Sequence, residues 1–381
     1  MRTIMLLLPQ QIVFGESCAA QCVDDVLALK VKRVIIVTSP PIVGLAEPLA
    51  DALVKEGLSV TLYPEIATEP TVETFEAALE VARAAQVEAV IGLGGGSALD
   101  VAKLVAALCD SQQEIREVFG IGQLASRHTY LACLPTTSGT GSEVSPNAIL
   151  LDQEDQLKKG VVSPHLIPDA AYVDPLLTLT LPPAVTAATG MDALTHCVEA
   201  YANRFAHPMV DLYTLEGIRL VGAHLLRAVE DGNDREARTG LALGSLYGGL
   251  ALGPVNTAAV HALAYPLGGA FHVAHGVSNA VLLPHVLEFS LPAAPERYAE
   301  IALALGAEPA ATTLETAEQG LDRICELARA CGIPRGLAEL GVPAEAIPRM
   351  ARSAMQVTRL LKNNLRELTV EDAEAIYRAA Y

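Results

Sequence analysis

The chain has no tryptophan, and aromatic residues make up only 4% of its 381 positions. Its apolar content, 51% of residues, comes mostly from Ala, Leu and Val, which suits helical layers around a sizeable core. Basic residues are also scarce: 26 Lys and Arg stand against 44 Asp and Glu, a net charge of −18. Nucleic-acid binding needs clustered Lys and Arg, so that partner class is excluded. Anionic membrane surfaces are excluded for the same reason. No stretch approaches the roughly 18 apolar residues of a spanning helix. The short run Ile4 to Leu8 is too brief for a signal-peptide core and no A-x-A site follows it; an opening β-strand is expected there. No cysteine pair has zinc-ribbon spacing. The seven cysteines, at 18, 22, 109, 133, 197, 325 and 331, are scattered and odd in number. Free thiols in a reducing, cytoplasmic compartment are expected.

A chain of this length suggests two domains. Residues 1–180 alternate short apolar runs with helical patterns. Strands are expected at Val34–Thr38, Leu58–Tyr63, Val87–Leu93 and Thr129–Leu134, and helices at Ile42–Glu56, Val72–Ala85 and Ala98–Cys109. That order means an α/β domain with a parallel, Rossmann-like sheet covered on both faces. Residues 181–381 carry the 3.6-residue period almost throughout, an all-α domain. Its helices are expected at Ala184–Asn203, Met209–Asp231 and Arg235–Leu252, with more from Val260 onward, broken at Pro266, Pro284, Pro334 and Pro343. A small-molecule site is expected where the two domains meet.

Two kinds of motif carry chemistry. In the first half, VIGLGGGSALD (Val90 to Asp100) runs a strand into three glycines, a serine and a helix. One glycine would suffice for a plain turn. Three allow a phosphate to approach the backbone at a helix N-terminus, whose N–H groups are unpaired. The ordinary G-x-G-x-x-G fingerprint is absent, because Ser97 stands where its last glycine would be. LPTTSGTGSEVSPN (Leu134 to Asn147) adds hydroxyl donors and flexible glycines.

In the second half, Asp192 and His196 lie four apart in a helical stretch, so both side chains share one face. His261 and His275 follow. A single histidine is more readily a core or capping residue. One carboxylate and three imidazoles together form a full ligand set for a divalent first-row metal; spacing does not separate Fe²⁺ from Zn²⁺.

These stretches carry a resemblance. GMDALTHCVEAY (Gly190 to Tyr201), His261, His275-Gly276, Pro284-His285 and GGGSALDVAK are similar to the motifs of the iron-containing alcohol dehydrogenase family, which has a dehydroquinate synthase-like fold. The likeness runs from near Phe14 to near Tyr377. It implies Fe²⁺ held by Asp192, His196, His261 and His275, with Zn²⁺ or another divalent ion as alternatives. It also implies hydride transfer between a small alcohol or aldehyde and a nicotinamide cofactor, the metal serving as Lewis acid. The cofactor would meet Gly95, Gly96 and Ser97 at its diphosphate, with Thr136, Thr137 and Thr140 opposite, Asn147 near the nicotinamide and Lys158 at a ribose; Lys159 competes for that last role. Asp100 and Thr178 complete the expected set. NAD is the expected dinucleotide. Ser39, however, stands where NAD-preferring members carry an Asp that repels a 2′-phosphate, so NADP stays open. A homo-oligomer, a dimer, is expected.

Two departures bear on catalysis. Many members have a proton-relaying His four residues after the third ligand; here it is Tyr265, whose phenol class titrates near pH 10. His272, three residues before His275, is the candidate replacement, expected within about 8 Å of the metal (an imidazole plus one bridging water). Three alternatives remain: a hydroxy-acid dehydrogenase or maleylacetate reductase of the same architecture, a sugar-phosphate lyase, and a non-catalytic metal- or nucleotide-binding protein. Arg366 could favour an acid substrate. The lyase would need more Lys and Arg near the metal motifs than the second half offers.

Overall fold

A computed structural model describes residues 2–67, 69–154 and 157–381. The chain forms two compact units. One, α/β, comprises Leu7–Thr137 and Gly141–Leu179; the other, helical, comprises Thr180–Tyr381, the N-terminal residues through Leu6, and Ser138–Thr140.

The α/β unit contains β1 (Gln11–Phe14), α1 (Gln21–Ala28), β2 (Arg33–Val37), α2 (Val43–Lys55), β3 (Ser59–Tyr63), α3 (Val72–Ala84), β4 (Ala89–Gly94), α4 (Gly96–Leu108) and α5 (Ile115–Val118). It continues with β5 (Gly120–Ile121), β6 (Tyr130–Pro135), β7 (Asn147–Asp152), β8 (Leu157–Val162) and β9 (Ala170–Val173). Six strands form a parallel sheet in the order β1-β9-β6-β4-β2-β3. Its strands have two buried faces. Ile35, Val37, Val90, Leu131 and Cys133 face Phe75 of α3 and Leu99 of α4, while Val34, Ile36, Ile91, Ala132 and Leu134 face Val26 of α1 and Leu49 of α2. This alternation places helices on both sides, the doubly wound arrangement expected from the apolar strand runs. The chain steps from β2 outward to β3, then back across to β4. The reversal of strand order therefore lies between β2 and β4, and such a switch point opens a crevice beyond the strands' carboxyl ends.

Three features depart from expectation. Ile4–Leu8 is not a strand; the first strand is Gln11–Phe14, paired with β9. Pro9 precedes it, and Ile4 instead packs against Ala200, Val210, Ala251 and Val255 of the helical unit. Strand β9 is only four residues long and gave no periodic signal. Asn147–Asp152 and Leu157–Val162 form β7 and β8, which with β5 make a separate three-stranded sheet.

The helical unit contains α6 (Pro183–Tyr201), α7 (Pro208–Glu230), α8 (Arg235–Leu252), α9 (Ala259–Phe271), α10 (His275–Ser290), α11 (Pro295–Ala304), α12 (Thr313–Ala330), α13 (Ile347–Ala354), α14 (Thr358–Leu361) and α15 (Val370–Ala379). Helix α6 is central: 15 of its 19 residues are buried. A helix apolar all round lies inside its domain. Pro334 and Pro343 fall outside helices, but Pro266 and Pro284 lie within α9 and α10 rather than ending them. Each costs one main-chain hydrogen bond. Tertiary packing offsets that cost, since nine of the 13 residues of α9 are buried. No helix among the described residues is long and apolar enough to cross a membrane.

Candidate active site

Helix α6 carries Asp192, His196 and Glu199 at i, i+4 and i+7, one stripe of one face. His261 sits in the first turn of α9, and His275 opens α10. A Cβ on Gly276 would run into the Ala188 carbonyl, so glycine lets the start of α10 lie against α6.

Ligand atoms of Asp192, His261 and His275 lie within 4.8 Å of one another. Asp192 Oδ1 is 3.6 Å from His261 Nε2, 3.7 Å from His275 Nε2 and 3.9 Å from His196 Nε2. Ligands at about 2.0–2.2 Å from a tetrahedral ion stand about 3.3–3.6 Å apart. The three Asp192–imidazole separations stand within about 0.6 Å of that spacing. His196 stands beside the mutually close trio, its ring stacked on His261 with centroids 4.7 Å apart.

Two of the imidazoles are pinned from behind. His196 Nδ1 donates to the Gly139 carbonyl at 3.1 Å, and His261 Nδ1 donates to Glu199 Oε2 at 2.5 Å. A carbonyl or carboxylate only accepts, so Nδ1 carries the hydrogen and Nε2 is the atom left to bind a cation. The other Glu199 oxygen, Oε1, accepts from Val260 N at 2.6 Å. Glu199 thereby caps α9, whose own N-cap residue, Ala258, contributes no side-chain bond. Neither Glu199 nor Asn279 was singled out from the sequence. The i+7 spacing on α6 could have signalled Glu199; no sequence pattern signals Asn279, which is fully buried. Asn279 Nδ2 lies 2.7 Å from Asp192 Oδ1, 3.1 Å from His261 Nε2 and 3.2 Å from His275 Nε2. It places an N–H donor among the same three atoms that would hold a cation.

The electrostatics favour positive charge here. Burial alone would raise the Asp192 carboxyl, but the three imidazoles outweigh it and hold it well below the usual carboxylate range. Burial alone would lower His261, but Glu199 and Asp192 push it up to about 9. His196, for which burial is the largest influence, is lowered. A divalent ion and the His261 proton therefore compete for one position.

Tyr265 follows His261 by one helical turn, and its phenol oxygen accepts from Arg359 at 2.6 Å. His272 is exposed and ends α9 in the left-handed conformation, with φ of 54°. It shares no helix with His275, so a helical three-residue spacing does not place it beside that residue. Arg366 donates to the Phe289 carbonyl at 3.0 Å and lies over the Phe289 ring.

The cofactor candidates gather at the carboxyl ends of β2, β4 and β6. A Cβ on Gly94 would meet Ala98 Cβ at 2.6 Å and Ser39 Oγ at 3.9 Å. One on Gly95 would meet Thr137 at 3.3 Å, and Thr136 N donates to the Gly94 carbonyl at 2.9 Å. Ser39, Gly95, Thr136 and Thr137 are thus neighbours. Helix α4 starts at Gly96 and Ser97 with Gly95 as N-cap and no side-chain cap, so its first N–H groups can receive an anion. Two buried atoms near these motifs, Thr38 Oγ1 and Asn147 Oδ1, have no hydrogen-bond partner among the described residues. Buried polar atoms are normally paired, and such orphans suit a ligand. Other expected contacts turn inward. Asp100 accepts from Ser142 Oγ at 2.5 Å and from Ile149 N at 2.9 Å. Thr178 Oγ1 donates to the Pro175 carbonyl at 2.7 Å. Lys158, its side chain nearly buried, pairs with Glu69, and Lys159 bonds Asp152 at 2.8 Å. Thr140 belongs to the helical unit.

The chain matches two family models end to end: iron-containing alcohol dehydrogenase over residues 9–175, and the C-terminal part of the Fe-containing alcohol dehydrogenase family over 186–381. The chain belongs to the iron-containing alcohol dehydrogenase family. Long-chain-alcohol dehydrogenase 1 of Geobacillus thermodenitrificans is 40% identical over 96% of this chain and 94% of its own. A crystal structure of 1,3-propanediol oxidoreductase superposes with a TM-score of 0.96 at 33% identity, covering 100% of both chains. The sulfoacetaldehyde reductase of Bifidobacterium kashiwanohense, crystallised with NAD⁺, superposes with a TM-score of 0.89 at 29% identity, covering 100% of this chain and 99% of the other. As an iron-containing alcohol dehydrogenase, the chain is an alcohol oxidoreductase that works by hydride transfer. The relatives' substrates range from long-chain alcohols to a sulfonated aldehyde, so family membership sets the reaction and leaves the substrate to the individual site.

Proposed function

We propose that this enzyme interconverts a small alcohol and its aldehyde, using NAD and one Fe²⁺ ion held by Asp192, His196, His261 and His275. The observation that carries this reading is the convergence of one carboxylate oxygen and three imidazole nitrogens, two of the imidazoles oriented through their far nitrogens. When bound, the metal supplies Lewis acidity at the substrate oxygen. The protein's part is to keep the ligand atoms aimed at one point and, in the α/β unit, to hold the dinucleotide. Gly95, Gly96 and Ser97 receive its diphosphate with Thr136, Thr137 and Thr140, and the orphan Oδ1 of Asn147 accepts from the nicotinamide carboxamide. Lys158 at a ribose hydroxyl would exchange part of its contact with Glu69. The NAD⁺ in the sulfoacetaldehyde reductase supports this choice of cofactor. Seven free cysteines support a reducing, cytoplasmic setting. Exposed Met5, Leu7 and Leu8 in the unpaired N-terminal segment support a dimer. The deciding experiment is elemental analysis of the purified enzyme together with turnover on short alcohols, diols and ω-hydroxy acids with NAD and NADP. Absence of stoichiometric metal, or zinc-only activity after reconstitution, would overturn the iron assignment. An acid preferred over every alcohol would move the enzyme to the hydroxy-acid dehydrogenases.

Two side-chain changes test details. Ser39→Asp places a carboxylate beside Gly94, where it repels a 2′-phosphate. The NAD-over-NADP ratio of kcat/KM should rise about tenfold, equivalent to ~1.4 kcal/mol. An unchanged ratio would show that another residue sets cofactor choice. His272→Ala tests proton exchange with solvent through the exposed ring. Alcohol oxidation should fall several-fold, about tenfold at most, below about pH 8 and recover above it, where hydroxide substitutes. An unaltered pH profile would leave His272 as only the residue that ends α9.

A further inference from the structure

The GGGSALDVAK motif contains two charged residues that the phosphate turn does not use, Asp100 and Lys103. They lie three apart on α4, so they point to one side of the helix. Lys103 is fully buried. Its ammonium donates to the Ser142 carbonyl at 2.9 Å, to Ser142 Oγ at 3.1 Å, to Ser145 Oγ at 3.3 Å and to the Asn147 carbonyl. Every one of these acceptors comes from the six residues Ser142–Asn147. Asp100 reaches the same stretch through Ser142 Oγ and holds the start of β7 through Ile149 N. A buried ammonium is retained only where such bonds compensate its desolvation. An apolar side chain would fill the space without them. The anchoring has a specific result at Asn147: its main-chain carbonyl is tied to Lys103, while its side-chain Oδ1 is buried and has no partner among the described residues.

We propose that Asp100 and Lys103 are a positioning pair that fixes the Ser142–Asn147 segment, and so aims the Asn147 carboxamide at the nicotinamide end of the dinucleotide. This rests on the reading of the α/β unit as the dinucleotide site. The side-chain hydrogen bonds of the pair go to Ser142, Ser145, Asn147 and Ile149, away from the glycine turn and Ser39, which serve the diphosphate and adenosine. Its effect is therefore confined to the nicotinamide end. Asp100 is a positioning residue and not a cofactor contact.

The test compares the affinities of NAD⁺ and ADP-ribose, which lacks only the nicotinamide, by titration calorimetry on the full-length protein. Ser142→Ala removes the hydroxyl shared by Asp100 and Lys103 and leaves the packing of α4 intact. It should weaken NAD⁺ about tenfold and ADP-ribose by no more than about twofold, the size expected for a lost hydrogen bond to a charged group. Lys103→Met, if it folds, should do the same or more. Asn147→Ala serves as the reference. If it shifts the NAD⁺ to ADP-ribose ratio and Ser142→Ala does not, the positioning pair is wrong and the dinucleotide reading stands. If Ser142→Ala weakens both ligands equally, the pair merely supports the fold and the proposal is likewise overturned. If Asn147→Ala leaves the ratio unchanged, the reading of Asn147 falls and the proposal falls with it.

Discussion

Replacing His275 with alanine is expected to abolish turnover while leaving the fold intact. The ion's Lewis acidity is worth several kcal/mol in such reactions, so the loss should be on the order of 10³-fold or more in kcat/KM. His275 is the cleaner of two variants. It is only half-buried, whereas His261 is buried and bonded to Glu199. His261→Ala should inactivate to the same degree but also destabilise, because it deprives the buried Glu199 carboxylate of one of its two donors, His261 Nδ1–H, beside Val260 N–H. Elemental analysis and thermal unfolding separate the effects: both variants should lose metal, and His261→Ala should unfold at the lower temperature. A His275→Ala enzyme that keeps one equivalent of metal and near-normal activity would refute the ligand assignment.

The second large effect concerns Glu199. Its two oxygens accept from two different donors, Val260 N–H and His261 Nδ1–H. Glutamine has one acceptor oxygen, so its NH₂ group must face one of those donors. Glu199→Gln should therefore turn His261 away from its ligating orientation. Metal affinity should fall about 10–100-fold, the usual cost of losing a partner that orients a metal-bound histidine. Stability should fall by about 1–3 kcal/mol for the buried donor left unpaired. Chelator competition measures the first and denaturant unfolding the second. Glu199→Asp keeps the charge but is one methylene short, and is expected to fall between wild type and Gln. Wild-type metal affinity in Glu199→Gln would show that His261 is aimed by α9 alone.

Much of the α/β unit was readable because its signals are local. Apolar runs such as Val34–Val37 and Val90–Leu93 bury both faces, and the observed strands lie within two residues of the expected ones at either end. The Asp192–His196 pair was readable for the same reason, since four residues along a helix always bring two side chains together. Where local signals were weak or countermanded, the reading failed. Strand β9 is four residues long, and Ile4–Leu8 has strand composition but forms no strand, with only Ile4 packed against the helical unit's small apolar cluster. Pro266 and Pro284 say stop locally, yet the core around α9 and α10 carries the helix through them.

The sequence by itself determined the layers of the fold, the glycine turn at the end of β4 and the shared helix face of Asp192 and His196. Only the tertiary structure decided which polar groups serve them. Glu199 meets a histidine 62 positions away, and Asp100 meets Ser142 and Ile149 at separations of 42 and 49. Periodicity arises from the geometry of adjacent residues and is written along the chain. A buried carboxylate or ammonium instead takes whichever donors or acceptors the folded core brings within about 3 Å, and no spacing in the sequence records that choice.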